Sequence, residues 1–373
     1  MQAEPTIEVA RVGATFQADS QPEEIDVMTC SVVLSLLAVV LDLLPSAQPG
    51  RPTAPDSGSG RVVSLAITPA QLDAAQTRSL LPGPEELTEG DGVELYAEAV
   101  QALPQGLSIE QVQRWLGAPL SELPAADVQL VLQQAKTSVE LASRGARCRN
   151  CDWPPFQPGM MPANLNGYRD LARLLCLQAR LQIAQQRYDD AIATIRTGLA
   201  MARHVGESPT VVQGMVGIAV AAMVLRCVED AAQAPGSPNL YHAMQALPHP
   251  LIDLNRPISS ELKSLDANSQ YSEATRHMMR RQMESSFDRV RQLMNRLDRT
   301  VVALQCIEAL RHHVATHNGS LPTRLADVAD VKVSADGTPC AYRLDGSKAV
   351  LEVPPPKGGR SKDAVRYEIA VAR

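Results

Sequence analysis

The sequence is poor in aromatic residues, which make up only 3% of its 373 residues. β-Sandwich cores depend on aromatic and β-branched side chains, so this scarcity favours closely packed helices instead. The chain also lacks a basic excess, because 35 Lys and Arg face 41 Asp and Glu and leave a formal net charge of -6. This balance excludes a general electrostatic attraction to nucleic acid, and no nucleic-acid partner is expected.

The sequence also lacks the short motifs that mark common enzyme classes. It contains no phosphate-binding loop, no dinucleotide-binding glycine fingerprint and no GxSxG nucleophile elbow. Its seven cysteines are an odd number and are scattered, which is not the pattern of a disulfide framework. No catalytic or cofactor-binding residue is therefore predicted, and the chain is interpreted as a non-enzymatic protein in preference to an enzyme.

Residues 31–44 form a strongly apolar run. The run is shorter than the roughly 20 residues that cross a bilayer, but its length suits the apolar part of a signal peptide. We therefore predict a disordered N-terminus with a linker over residues 1–64, export to the periplasm or cell envelope, and membrane association through residues 31–44. Because no basic residue directly precedes the run, a core helix in a cytoplasmic protein stays open as the alternative.

Residues 65–298 are predicted to form an α-helical, repeat-like domain, because apolar side chains recur there at helical spacing. Two amphipathic patterns within 168–205 flank a turn that contains Tyr188, and Ala179 and Ala191 occupy positions where two helices approach closely. This arrangement resembles a tetratricopeptide hairpin. The resemblance implies stacked helical hairpins and a protein or peptide partner.

Two Ser/Thr-Pro pairs predict further helix starts. The first, at Thr68, is followed by Gln71 and predicts a helix towards Leu80. The second, Ser208-Pro209, opens a helix that is apolar on nearly all sides. Such a helix is normally the buried centre of its domain, and the glycines at 214 and 217 indicate close helix packing.

Residues 299–373 are predicted to form a helix followed by a small antiparallel sheet. Apolar side chains at helical spacing cover 299–314. Alternating patterns predict three strands, at 341–344, 348–353 and 365–371. The predicted fold class is therefore mostly α, with tetratricopeptide-like hairpins and a C-terminal α+β unit that comprises a helix and a three-stranded antiparallel sheet.

The C-terminal segment resembles the soluble end of type II secretion major pseudopilins. The resemblance rests on a helix that runs into His317-Asn318-Gly319, Leu321-Pro322 and Leu325, followed by Gly337, Pro339 and Tyr342. No pilin-type cleavage site and assembly helix precede this helix, so the resemblance implies an accessory component of a secretion or pilus-like system and not a pilus subunit.

Most of the chain after residue 85 resembles a family of exported-looking bacterial proteins with no assigned activity. The segments that carry this resemblance are Cys151–Pro154, 169–175, 198–207, 239–241 and 247–254. The resemblance implies a helical body and an exported location, and it implies no reaction.

A partner-binding groove is predicted at Trp153, Arg169, Arg173 and Arg180. The three arginines recur at spacings of four and seven and so share one face of a helix. Such a stripe suits an acidic peptide terminus, and the alternative interpretation is a solvated face on which the arginine stems cover apolar surface.

The CxxC pair of Cys148 and Cys151 supports an alternative hypothesis, a metal- or thiol-dependent enzyme. A redox pair needs a helix start after it, because the helix N-terminus lowers the thiol pKa, and Asp-Trp-Pro-Pro does not open a helix there. A zinc site would need two more ligands at suitable spacing.

The histidines His312, His313 and His317 offer a second set for the same alternative. His313 and His317 lie one helical turn apart, as zinc ligands do, and a carboxylate could come from elsewhere in the chain, for instance from Glu308. The glutamate that a zinc protease carries directly after its first histidine is absent. The preferred function remains a protein-interaction or scaffolding protein of the bacterial cell envelope.

Overall fold

The computed structural model describes residues 60–72, 78–155, 164–328 and 340–372. The helices in these ranges are α1 (Gly92–Gln101), α2 (Ile109–Gly117), α3 (Ala125–Gln134), α4 (Lys136–Gly145), α5 (Leu165–Ala184), α6 (Tyr188–Gly206), α7 (Val211–Gln233), α8 (Tyr241–Gln245), α9 (Asn255–Ala267) and α10 (Glu273–Thr316). The strands are β1 (Arg61–Ile67), β2 (Thr88–Asp91), β3 (Cys148–Asn150), β4 (Ala341–Asp345), β5 (Lys348–Val353) and β6 (Val365–Val371). The predicted fold class, mostly α with a small C-terminal α+β unit, is confirmed. The apolar run at 31–44 lies outside the described residues.

The helical hairpin expected around Tyr188 is formed by α5 and α6. Gln186 closes the turn between them with a φ of 59°, a left-handed conformation that reverses the chain within a few residues. Ala179 and Ala191 are both buried, and the Tyr188 hydroxyl donates a hydrogen bond to the carbonyl oxygen of Pro235 at 2.5 Å. The tyrosine therefore ties the hairpin turn to the chain that leaves α7.

Helix α7 lies at the centre of the helical body, as its apolar sequence predicts. By length and composition alone it would suffice to cross a membrane, but 83% of its most apolar window is buried inside the protein, as in a core helix. A Cβ atom at Gly217 would lie 2.6 Å from the carbonyl oxygen of Ala202 and 2.7 Å from the amide nitrogen of Gly206. The missing side chain therefore lets the backbones of α6 and α7 touch.

Helix α10 is one continuous helix of 44 residues. The domain boundary that the sequence predicted between 298 and 299 falls inside this helix. The composition of the sequence changes at that point, but the helix continues through it. The N-terminal half carries mostly exposed or half-buried side chains, whereas nearly every residue from Leu297 to Leu310 is buried. The buried half packs against α7 and α8 and supports β5.

The C-terminal sheet contains the three predicted strands and a fourth that the sequence did not predict. Strand β5 pairs antiparallel with both β4 and β6, as expected. Strand β1 joins the other edge of β6 in parallel, from Arg61 opposite Val365 to Ile67 opposite Val371. The predicted antiparallel arrangement of three strands is therefore confirmed, and the sheet contains in addition a fourth, parallel strand. The sequence did not predict it, because alternation along β1 does not indicate with which distant strand it pairs.

The helix predicted to begin at Thr68 is absent from residues 68–72. The Thr68 hydroxyl instead donates hydrogen bonds to the carbonyl oxygens of Ala232 and Ala234, at 3.3 and 2.9 Å. These carbonyls lie at the C-terminal end of α7, where a helix leaves its last acceptors without partners. The threonine thus satisfies the end of another helix and fixes β1 beside it.

A buried arginine joins three distant parts of the chain. The guanidinium of Arg311 is fully buried and lies 2.8 Å from a carboxylate oxygen of Glu308, one helical turn away. It also donates to the carbonyl oxygens of Thr68, Ser237 and Pro238, at 2.9, 2.8 and 3.1 Å. Helix α10, the end of β1 and the α7–α8 connection therefore meet at one cation.

Substitution of Gly217 by alanine should lower the free energy of unfolding by about 2 kcal/mol, because the added methyl group forces α6 and α7 apart. The matched control is Gly117→Ala at the end of α2, where a Cβ atom meets nothing within 4 Å. There alanine should be neutral or stabilise by up to about 1 kcal/mol, since it favours the helix. Urea unfolding followed by circular dichroism measures both, and equal effects would contradict the close contact at Gly217.

Substitution of Arg311 by methionine should destabilise the protein by about 3–5 kcal/mol, because it leaves the Glu308 carboxylate buried without its cation. Arg324→Met is the matched control, since Arg324 also pairs with a carboxylate three residues away, at Asp327, but its side chain is 78% exposed. The control should leave the unfolding midpoint in urea unchanged. Adding Glu308→Gln to Arg311→Met should restore part of the lost stability, because it removes the unpaired buried carboxylate. If the destabilising effects of the two substitutions simply added, Glu308 and Arg311 would not be coupled energetically.

Candidate functional site

A cavity of about 390 Å³ lies between α5, α7 and α10, with α2 and β1 at its margins. Six of the residues that line it are arginines: Arg61, Arg169, Arg173, Arg180, Arg226 and Arg296. Only two acidic residues, Glu229 and Asp230, line it with them. This cluster of arginine side chains is the most distinctive chemical feature of the described chain.

Helix spacing and helix packing together bring these arginines to one place. Arg169, Arg173 and Arg180 follow one face of α5, as their spacing predicts. Arg180 reaches Asp230 on α7 at 2.9 Å, and the Cys227 thiol contacts the carbonyl oxygen of Cys176. Both contacts advance in the same direction along the two helices, so α5 and α7 run parallel and face the cavity side by side.

Four of the six arginines are paired with carboxylates. Arg61 lies 3.1 Å from Glu229, Arg180 lies 2.9 Å from Asp230 and Arg296 lies 3.4 Å from Asp363, and Arg173 forms a short ion pair with Asp170. Arg180 also donates to the carbonyl oxygens of Trp115 and Ala118, at 2.6 and 2.5 Å. Its guanidinium is therefore fixed by the end of α2 as well as by α7.

Arg169 and Arg226 are different, because neither has an ion pair or hydrogen bond to any described residue. Partial burial lowers the pKa of Arg169, and the neighbouring charge of Arg173 lowers it further, against the opposing effect of Asp170. Burial likewise lowers the pKa of Arg226, with a contribution from the charge of Arg61 and against the opposing effects of Glu229 and Asp230. Since arginine stays protonated in proteins, these are two positive charges that have carboxylates nearby but no direct ion pair among the described residues.

The remaining cavity wall is mostly apolar. Its side chains come from α2, α7, α10 and β6, and include Leu116, Ile218, Met223, Leu293, Leu297 and Val365. Apolar walls reduce the local dielectric constant and strengthen the attraction of the arginines for an anion. The cavity therefore suits a ligand that carries negative charge on a partly apolar body.

Glu229 connects the cavity to the C-terminal sheet. Its carboxylate accepts a hydrogen bond from the buried Tyr367 hydroxyl at 2.9 Å and pairs with Arg61 through its other oxygen. Arg61 belongs to β1 and Tyr367 to β6, so the parallel pairing of these strands is needed to place both partners. At the adjacent Asp230, burial raises the pKa to about 6, against the opposing effect of Arg180.

Three of the four residues predicted to form the groove line the cavity, and the fourth lies elsewhere. Arg169, Arg173 and Arg180 all line the cavity. Trp153 lies elsewhere, where its indole NH donates to the carbonyl oxygen of His204 at 2.7 Å and its ring packs against Tyr168. The tryptophan therefore serves the packing between the end of β3 and α6.

Sequence reasoning missed Arg61, Arg226 and Arg296. A signal for Arg226 exists, because it is one of only three charged residues in the otherwise apolar α7, together with Glu229 and Asp230. Nothing local distinguishes Arg61 or Arg296, which reach the cavity through the sheet and through α10.

The thiols of Cys148 and Cys151 lie beside the short parallel pair of β2 and β3, and no helix begins directly after them. Burial raises the pKa of both thiols, and the nearby carboxylate of Asp91 raises them further. A catalytic redox thiol has a lowered pKa, so this environment does not support thiol reactivity.

The predicted histidine set does not converge on one point. The rings of His313 and His317 stack with their centroids 3.8 Å apart, and the His317 ring contacts the carbonyl oxygen of His313. His312 accepts a hydrogen bond from the backbone amide of Leu72, and Glu308 is engaged by Arg311. Among the described residues no group of three or more His, Cys, Asp or Glu side chains is placed to hold a metal ion.

Comparison of the chain with protein-family models, with curated proteins and with solved structures gives no match. The tetratricopeptide, pseudopilin and exported-protein resemblances therefore stay predictions. The functional argument rests on the side chains of the cavity.

Half-buried His204 should make the protein sensitive to acid. Its Nδ1 atom lies 2.8 Å from the Tyr96 hydroxyl, and burial lowers its pKa from 6.5 to about 4. As the pH falls from 6.5 to 4, the unfolded chain binds a proton that the folded chain does not, so the free energy of unfolding decreases, by about 3 kcal/mol. This contribution is present above pH 6.5 and lost below pH 4.

His204→Gln keeps a polar group near Tyr96 and does not titrate, so it should lose less stability than the natural protein between pH 7 and pH 4. The raised pKa of Asp230 affects stability in the same pH range with the opposite sign. Because Asp230 is present in both proteins, the difference between them reports on His204. Urea unfolding at each pH measures the difference. Parallel stability profiles would show that His204 does not titrate differently in the two states.

Proposed function

We propose that this chain is a non-enzymatic protein-interaction protein that binds an acidic chain terminus of a partner in the arginine-lined cavity. In this proposal the helical body is a scaffold, and the cell envelope is its site of action. The observation that carries the proposal is the presence of Arg169 and Arg226, two cavity cations that form no direct ion pair or hydrogen bond with a described residue.

The chemistry of the cavity favours binding over catalysis. An arginine cannot lose its proton at physiological pH and so does not act as a general base, but its planar donors match a carboxylate. The carboxylates Glu229 and Asp230 are engaged by Arg61 and Arg180. The Cys227 thiol is fully buried and its pKa is raised, mainly by its hydrogen bond with Cys176, which does not favour a nucleophile.

A chain terminus suits the cavity better than an extended acidic surface. A volume of about 390 Å³ admits one or two residues and not a helix. A terminal residue with an acidic side chain carries two carboxylates, one for each unpaired arginine. The apolar wall formed by residues such as Met223 and Leu297 would receive the preceding side chain.

The envelope location is supported by the sequence alone. The apolar run at 31–44, the linker after it and the resemblance to exported bacterial proteins all favour export. A partner would then be another protein of the periplasm or membrane surface.

Binding should be measured by fluorescence polarisation at low salt. The probe is a fluorescein-labelled pool of short peptides, randomised in the first positions and ending in Glu-Asp with a free carboxylate. Arg169→Gln and Arg226→Gln should each weaken binding about tenfold or more, because each removes a charge-assisted hydrogen bond of about 1.5–3 kcal/mol. The matched control is Arg289→Gln on the exposed face of α10, which should bind as the natural protein does.

The same peptides with a C-terminal amide should compete less well than the free acids. Binding should also weaken as salt is raised, because screening reduces the attraction. An affinity that does not change in either cavity variant, or no binding of the acidic pool, would refute the proposed recognition.

A further inference from the structure

Both oxygens of the Glu229 carboxylate are occupied by side chains of the C-terminal sheet. Oε1 accepts a hydrogen bond from the Tyr367 hydroxyl of β6 at 2.9 Å, and Oε2 lies 3.1 Å from the guanidinium of Arg61 on β1. Glu229 and Tyr367 are only 7% and 1% exposed. Two donors from the sheet therefore fix the orientation of this buried carboxylate on α7.

Arg226 is the cavity cation that this arrangement leaves without a direct partner. It precedes Glu229 by three residues and Asp230 by four within α7. Opposite charges at these spacings are neighbours on a helix surface and normally pair. Arg226 nevertheless forms no ion pair or hydrogen bond with a described residue, although all three side chains line the same cavity. The helix therefore offers Arg226 two local partners, and the tertiary structure engages both of them elsewhere.

The two carboxylates are engaged by different kinds of donor. Asp230 lies 2.9 Å from Arg180, whose guanidinium is also held by the carbonyl oxygens of Trp115 and Ala118. One oxygen of Glu229, in contrast, depends on a neutral hydroxyl. Without that hydroxyl a buried acceptor would lack its donor, which is unfavourable. The carboxylate would then turn to a nearby donor, and Arg226 lies one helical turn away on the same helix.

Tyr367 acts on the cavity only through Glu229. It is not one of the residues that line the cavity. Its ring belongs to the core of the sheet, where Tyr367 lies opposite Val63 of β1 and Leu351 of β5. Burial raises the pKa of its hydroxyl well above the usual value, and the charge of Glu229 raises it further. The hydroxyl is therefore protonated at neutral pH and donates to the carboxylate.

We propose that Tyr367 is a positioning residue, whose hydroxyl holds the Glu229 carboxylate away from Arg226 and so leaves Arg226 open to an anionic ligand. The inference rests on the proposed function for the nature of that ligand, an acidic chain terminus. It gives the C-terminal sheet a role in recognition by the helical body, because β6 controls a charge on α7.

The first test is peptide binding to Tyr367→Phe, which removes the hydroxyl and keeps the buried ring. Glu229 should then pair with Arg226 and compete with the ligand. The apparent affinity falls in proportion to the fraction of protein in which Arg226 is unpaired. The labelled peptides ending in Glu-Asp should therefore bind about threefold to tenfold more weakly at low salt.

The matched control is Tyr342→Phe in β4 of the same sheet. The Tyr342 hydroxyl donates to the carbonyl oxygen of Pro322 at 2.7 Å, and Tyr342 does not line the cavity. This variant should bind the peptides as the natural protein does. The circular dichroism spectrum verifies that each variant is folded.

Glu229→Gln distinguishes positioning from a general disturbance of the sheet. Glutamine carries no charge and cannot neutralise Arg226. In the Glu229→Gln background, Tyr367→Phe should therefore change the affinity by less than about twofold. Weakening by the same factor in both backgrounds would show that Tyr367 has a structural role only and would overturn the proposal.

Urea unfolding without peptide tests the contact itself. Arg226→Gln should lower the unfolding midpoint more in the Tyr367→Phe protein than in the natural protein, because it breaks the new ion pair with Glu229. In the natural protein the same substitution removes a partly buried cation that has no direct partner, so the midpoint should stay unchanged or rise.

The two measurements separate the failure of this inference from the failure of the proposed function. Equal midpoint shifts for Arg226→Gln in the two proteins would overturn the positioning role, even if the peptides bind. An affinity of Tyr367→Phe equal to that of the natural protein would overturn it as well. If the natural protein binds no acidic peptide, the proposed function is refuted, and the urea comparison alone decides whether Tyr367 keeps Glu229 from Arg226.

Discussion

The guanidinium of Arg311 lies fully buried where α10, the end of β1 and the α7–α8 connection meet, and a buried charge is tolerated only with a complete set of partners. Glu308 balances the charge, and its carboxylate also accepts the backbone NH of Leu240 at 2.8 Å. The carbonyl oxygens of Thr68 and Ser237 accept further hydrogen bonds from its guanidinium. Because these groups come from distant parts of the chain, burial of this arginine requires the helices and the sheet to assemble together.

The position of β1 carries this constraint to the cavity. Strand β1 is held at its end by the contacts of Thr68 and along its length by β6, and it places Arg61 against Glu229. Tyr367 reaches the same carboxylate from β6. The arginines would repel one another without their carboxylate partners, so these ion pairs allow six arginines to share one cavity. Arg169 and Arg226 line the same cavity without a direct ion pair among the described residues.

Local sequence patterns predicted those parts of the fold that depend on neighbours along the chain. The α5–α6 hairpin, the buried α7 and the three C-terminal strands follow from helical and alternating periodicity. The same reasoning failed at Thr68, because a hydroxyl followed by proline fits a helix start and equally fits a contact with the end of α7. It also divided α10 at a change of composition, since periodicity does not show whether a helix continues.

The sequence by itself determined that the protein is mostly helical, that α5 and α6 form a hairpin, and that Arg169, Arg173 and Arg180 share one helix face. The tertiary structure alone decided that β1 pairs with β6 and that Arg61, Arg226 and Arg296 join the other arginines. The physical reason is range. Helical and strand periodicity report which side chains share a face, whereas a cavity depends on contacts between residues far apart in the chain, which periodicity does not encode.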